Sequence, residues 1–160
     1  MIRPLDPLAD LDAVAALYTR AADYWLLADR RPPDRQKACS LFTDRPPGCD
    51  PSLSHRLGLF RDGALVGVAE LSFGFPQPAD AYLGLMLLDP AARGSGSGVT
   101  LLAEIEARAR AAHAPRLYLA VLHANPRGHA FWQRHGFLPT GVSRADPDTG
   151  HILHRLVKPL

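Results

Sequence analysis

Ala91-Ala92-Arg93-Gly94-Ser95-Gly96-Ser97-Gly98 lies between an apolar run, Tyr82 to Leu88, and an amphipathic run, Val99 to Ala112. The order reads as strand, glycine-rich turn, helix. Glycine lets the chain turn tightly and puts no side chain in front of its N–H groups. The first N–H groups of a helix lack internal partners, and the helix dipole adds positive charge there. Such a turn suits a phosphate, and Arg93 can add a charged clamp. A flexible Gly/Ser linker has the same composition, but linkers rarely sit inside one strand–helix unit.

Two familiar phosphate motifs do not fit. A P-loop needs Lys and Ser or Thr after its last glycine, whereas Val99 and Thr100 follow Gly98. The dinucleotide fingerprint needs a third Gly or Ala three residues after the second Gly. Val99 or Leu101 stands there, depending on register.

Outward from the loop, Ile2 to Leu5 reads as a short strand. Asp6 and Pro7 resemble an N-cap and first helical residue. Leu8, Leu11, Val14, Leu17 and Tyr18 recur at helical spacing, and the pattern continues to Leu26. Asp34 to Phe42 is a second helix. His55 to Phe60 and Ala64 to Phe75 read as strands joined by the Arg61-Asp62-Gly63 turn. With Tyr82 to Leu88 they should be antiparallel, because their connections are too short for a crossover. In the Val99 helix, Leu101, Leu102, Ile105 and Ala109 share one side, and Glu104, Glu106, Arg108 and Arg110 read as a solvated face. Leu117 to Leu122 follows a helical crossover and should run parallel to the Tyr82 strand. Phe137 to Val142 and Ile152 to Val157 form a final hairpin.

A second motif follows the Leu117 strand: Asn125, a short helix carrying Phe131-Trp132, then Gly136-Phe137 and a strand. Together with Arg93, two residues, Gly96, one residue and Gly98, it resembles the GNAT family of acyl-CoA-dependent N-acetyltransferases. The resemblance spans roughly residues 64 to 157. It implies a mixed α/β fold: a mostly antiparallel sheet of six or seven strands, a parallel splayed central pair, and helices on both faces. A single such domain would span 1–160.

The resemblance also implies site residues. Acetyl-CoA would be the co-substrate, its arm held by Met86 and Leu88 through backbone atoms. Arg93, Gly94, Ser95, Gly96, Ser97, Gly98 and Val99 would hold the pyrophosphate. Asn125 would touch the arm from the other side, and Phe131 would line the same wall. The Leu88 N–H would face the developing oxyanion. Many relatives carry Tyr where Trp132 stands, and that Tyr can protonate the departing thiolate. An indole cannot. The expected reaction is acyl transfer to a primary amine by direct attack. The alternative is an acyl-CoA-binding regulatory module without turnover.

Glu70 is one of three Glu and lies mid-strand, where Glu is disfavoured. By strand alternation it shares a face with Val66, Val68 and Ser72. If that face lines the cleft, Glu70 can take the proton of a substrate ammonium; a structural ion pair is the other reading. His123 could reach the same cleft or stand in a solvated loop. Phe73, Phe75 and Tyr82 could wall an apolar acceptor site, and Tyr24 and Trp25 fit either the acceptor pocket or the core.

Composition bounds the rest. The 160 residues suit one domain. The formal net charge of +2 supports no claim for nucleic acid. No apolar run reaches spanning length and no leader is evident. No His or Cys cluster has zinc spacing, so no metal is expected. Cys39 and Cys49 are read as reduced thiols of a cytoplasmic protein. The expected partner is a small-molecule or peptide amine, with neither nucleic acid nor membrane; a homodimer is compatible with the sequence.

Overall fold

The computed structural model describes all residues from Met1 to Leu160. Seven strands form one sheet in the order β1-β2-β3-β4-β5-β7-β6. They are β1 (Ile2–Pro4), β2 (His55–Arg61), β3 (Ala64–Phe73), β4 (Ala81–Leu88), β5 (Arg116–Leu122), β6 (Leu138–Ala145) and β7 (Ile152–Pro159). Every neighbouring pair is antiparallel except β4 and β5. The helices are α1 (Leu11–Arg20), α2 (Ala22–Asp29), α3 (Arg35–Thr43), α4 (Ser97–Ala111) and α5 (Pro126–Arg134). The mixed architecture and its one parallel pair agree with the sequence reading. No helix is long and apolar enough to cross a membrane.

Two apolar cores form. Leu101, Ile105 and Ala109 of α4 are fully buried against Leu57, Leu71, Leu83, Leu117 and Phe137. Each buried Leu or Ile contributes about 1.5–3 kcal/mol by leaving water. The second core joins Val14, Leu17 and Tyr18 of α1, Trp25 of α2, and Ala38 and Leu41 of α3 to Leu65, Val68 and Leu87 of the sheet.

Several local expectations need correction. The first helix breaks at Ala21, where φ −94° and ψ 28° leave the helical well. Asp6 caps a turn ahead of α1, accepting from the N–H groups of Leu8 and Ala9; the helix starts after Asp10. Glu106 is buried rather than solvated, because Lys158 reaches it at 2.6 Å.

Two β-bulges matter more. Leu59 pairs with Gly67 and Phe60 with Leu65, so Val66 is an extra residue on β3. Val66 packs toward the α4 core while Val68 lies in the α1 core. It therefore does not share a face with Val68 and Glu70, as simple alternation predicts. On β4, Gly84 is the extra residue, because Glu70 pairs with Leu85 and Leu71 with Leu83. Before the bulge, Ala81 and Leu83 face the α4 core; beyond it, Leu85 and Leu87 face the other side. One inserted residue reverses the strand's faces.

Candidate active site

The parallel seam between β4 and β5 is short. Ala81 pairs with Leu117, Tyr82 with Tyr118 and Leu83 with Leu119. Both strands continue, to Leu88 and Leu122, without pairing. The Asp89 N–H donates to the Val66 carbonyl on β3. Successive N–H groups along a strand point to opposite edges, so the Leu88 N–H faces the edge that β5 has left. A cleft of about 1670 Å³ opens there. An unpaired backbone edge beside such a cleft is a template for an extended ligand.

The glycine loop forms the mouth of this cleft. Gly94 and Gly96 have φ of 73° and 85°, in the left-handed region that glycine tolerates. Gly96 is the N-cap residue of α4, so the free N–H groups of the first turn follow it. Gly98 is glycine for another reason. A Cβ there would lie 3.2 Å from the Phe131 ring and 3.4 Å from Leu88 Cδ1. The loop, β4 and α5 meet at this point. The Ser95 hydroxyl donates to the Ala92 carbonyl and accepts from Arg61, and Ser97 is buried. Val99 is half-exposed on the cleft wall.

A profile of the acetyltransferase (GNAT) family matches residues 14–137. The chain belongs to the GNAT acetyltransferase family. The fold of this GNAT chain is similar to that of an acetyltransferase from Thermus thermophilus, with 25% identity and TM-score 0.78, covering 100% of this chain and 96% of that one. It is also similar to a ribosomal-protein-alanine N-acetyltransferase from Brucella melitensis, with 25% identity and TM-score 0.77, covering 100% and 99%. The PaiA N-acetyltransferase from Thermoplasma acidophilum, solved in complex with coenzyme A, shares the fold at 21% identity and TM-score 0.71, covering 100% and 98%. No curated protein sequence matches significantly.

In this GNAT domain Met86, Leu88, Asn125 and Phe131 all line the cleft. Asn125 caps α5, its Oδ1 accepting from the Gly128 N–H at 2.9 Å. Trp132 packs edge-on against Phe131 and Phe137. Arg93 departs from the role of a free phosphate clamp. Its guanidinium pairs with Asp23 of α2 at 2.5 Å and also donates to the Leu88 carbonyl at 3.2 Å. Asp23 is held below the usual carboxylate range, chiefly by its hydrogen bond with Arg93.

Glu70 is buried and lines the cleft. Ser72 donates a hydrogen bond to it, and Arg56 stands 3.4 Å away. Burial pushes the Glu70 carboxyl above its ordinary value; Ser72 and Arg56 pull the other way and do not win. Burial likewise lowers Arg56, so desolvation outweighs the attraction on both partners. The result is a carboxylate more basic than one in water, which suits a proton acceptor. Arg56 and the Gly84 bulge were invisible in the sequence reading; register alone brings them to Glu70.

His123 stands outside the cleft lining, exposed, with Nδ1 2.9 Å from His154 Nε2. Phe73 also turns away, packing against the α4 core and, edge-on, His55. Phe75 and Tyr82 do line the cleft, edge to face with centroids 5.3 Å apart. Trp25 is buried in the α1 core, 4.7 Å from Tyr18, and with Tyr24 it also lines the cleft; its indole N–H has no partner.

Proposed function

We propose that this chain is one acetyltransferase domain that transfers an acetyl group from acetyl-CoA to a primary amine by direct attack within a ternary complex. The observation that carries the reading is the seam that closes for three residue pairs and then opens beside the glycine loop. The acyl-CoA arm would occupy the missing strand position along Met86 and Leu88. The pyrophosphate would meet the N–H groups of residues 94 to 99 and the first turn of α4. Asn125 and Phe131 would face the arm from β5's side.

The amine nitrogen attacks the thioester carbonyl. A C–N bond forms, the C–S bond breaks and CoA leaves as thiolate. Glu70 accepts the proton that the amine must lose, directly or through water. The Leu88 N–H donates to the oxygen on which charge develops. Most of the acceleration comes from holding the two reactants together. Trp132 takes no proton-transfer role, and the thiolate, whose thiol has ordinary acidity, is reprotonated by water or by the protonated nitrogen of the collapsing tetrahedral adduct.

Thiol release from acetyl-CoA across a broad panel of primary amines tests the reading. Release that depends on amine supports it. Tight CoA binding with no release on any amine would make the chain a non-catalytic acyl-CoA-binding module.

A further inference from the structure

The acceptor side of the cleft has a charge arrangement that acetyl transfer itself does not require. Strand register places a row of side chains on one sheet face. Glu70 and Ser72 lie on β3, and Ser72 is opposite Tyr82 on β4. Tyr82 pairs with Tyr118 on β5, and two residues on, Ala120 pairs with Arg155 of β7. Arg144 of β6 is opposite Leu153, two residues from Arg155 and therefore on the same face.

Most charges in the cleft have partners. Asp23 has Arg93, Asp29 has Lys37 and Glu70 has Arg56. Asp146, near Arg144, accepts the Asp148 N–H in its own turn at 2.8 Å. Arg144 and Arg155 make no side-chain hydrogen bond or ion pair; Arg127 and Arg134, also unpaired, stand on α5, the helix after Asn125, away from this row. Arg155 is nevertheless held in place: its guanidinium stacks over the Phe75 ring at 5.1 Å, and Phe75 packs on Tyr82. A guanidinium fixed by an aromatic face, with its five donors unspent, is a preformed carboxylate receptor. Tyr82 lies between the two ends of the row. Its phenol is raised by burial, lowered by Arg155 and Arg144, and raised slightly by Glu70.

Resting on the acetyltransferase reading, we infer that the acceptor is a small amino-acid-type amine whose own carboxylate is bound by Arg155 and Arg144 while its amino group faces Glu70. Its body crosses the Phe75–Tyr82 pair. The row carries a proton acceptor, paired with Arg56, at the end where a proton must be taken and unpaired positive charge at the end where no reaction occurs. A polyamine or other polycation fits this poorly, because its second cation would meet Arg155. A peptide amine fits only where a carboxylate lies across the Phe75–Tyr82 pair from the reacting nitrogen.

Matched acceptors test this: 4-aminobutanoate against propylamine, 5-aminopentanoate against butylamine, and 6-aminohexanoate against pentylamine. The carboxylated member of at least one pair should have the higher kcat/KM, by about tenfold or more, the loss expected when a charged hydrogen bond is removed. The Arg144→Gln/Arg155→Gln double variant should reduce that preference to about threefold or less, with CoA affinity and melting temperature unchanged. Arg155→Lys should restore part of it, which a purely structural role would not do.

Turnover of amines with equal or reversed preference overturns the inference and leaves the acetyltransferase reading standing. Absence of turnover on every amine overturns the acetyltransferase reading. Calorimetry of the same acids with the CoA-bound protein then decides the anion site. Binding lost in the double variant supports the site; no binding of any acid overturns it.

Discussion

The Glu70 carboxylate fills the space that a side chain on Gly84 would need: a Cβ built there collides with Glu70 Oε2. Gly84 is the extra residue of the β4 bulge, between Leu83, opposite Leu71, and Leu85, opposite Glu70. The bulge thus makes room for a buried acid and aims it along the cleft. Gly84→Ala should push the carboxylate aside while leaving the glycine loop alone. We expect kcat to fall by about tenfold or more, since small misplacements are costly, with CoA affinity by calorimetry unchanged.

Glu70→Gln removes the proton acceptor while keeping its shape. Turnover should fall by about 10²-fold or more, the range of general-base contributions. Burial raises the Glu70 pKa, so the parent should show an acid limb starting above the ordinary carboxylate range, where Glu70 becomes protonated. The variant should lack that limb. Arg56 keeps the carbonyls of Leu41 and Asp44 as partners, so the fold should survive. A retained limb and near-parental turnover would return Glu70 to a structural ion pair.

The loop glycines separate strain from charge. Gly96 has a left-handed φ and open space where a Cβ would go. Gly96→Ala and Gly96→Asp therefore share a backbone penalty of about 1 kcal/mol. Only the second adds a negative charge beside the proposed pyrophosphate. CoA affinity should drop far more for Gly96→Asp, with melting temperatures as the control. Equal affinities in the two variants would remove the pyrophosphate from this loop.

How much of this is legible in the sequence follows from which forces act locally. The glycine turn between strand and helix, the short helix after Asn125 and the apolar α4 stripe are set by neighbours in sequence, and they read correctly. The bulges at Val66 and Gly84 did not, because apolar residues on both sides of a doubly covered strand hide an inserted residue. Glu106 reads as solvated until Lys158, 52 positions away, comes to meet it. The Arg93–Asp23 pair spans 70 positions and carries no periodic signal. Arg155 looks like any charged residue in a terminal strand until Phe75 is found beneath it.

Arg93 sits at the rim, paired with Asp23, whose side chain is 57% exposed. Its charge is shared and screened by water. Arg93→Ala should weaken CoA by less than about tenfold, a loss of roughly 1 kcal/mol. The loss should shrink further as salt is raised. Titration at two ionic strengths checks this, and a loss that grows with salt would contradict it.

Asp10 tests the packing of the N-terminus. Arg3 grips it with two hydrogen bonds at 2.8 Å, and its carboxyl is lowered to about 2, first by that hydrogen bond. A lowered folded pKa gives stability that is complete above the unfolded pKa and disappears as pH falls through the folded one. Asp10→Asn should therefore melt below the parent at pH 7. The gap should close on acidification from about 4, the unfolded value, toward about 2. A gap independent of pH would mean that the variant loses something other than the Arg3–Asp10 ion pair.

The three-pair seam has a mechanical consequence. Strands β1 to β4 and strands β5 to β7 are two plates hemmed together along three rungs, with α4 lying across the join. Whatever lies along Leu88 supplies the rungs that the protein omits. Cofactor occupancy should then be audible far from the cleft, as slowed amide exchange across both plates and a sharper, more cooperative melt.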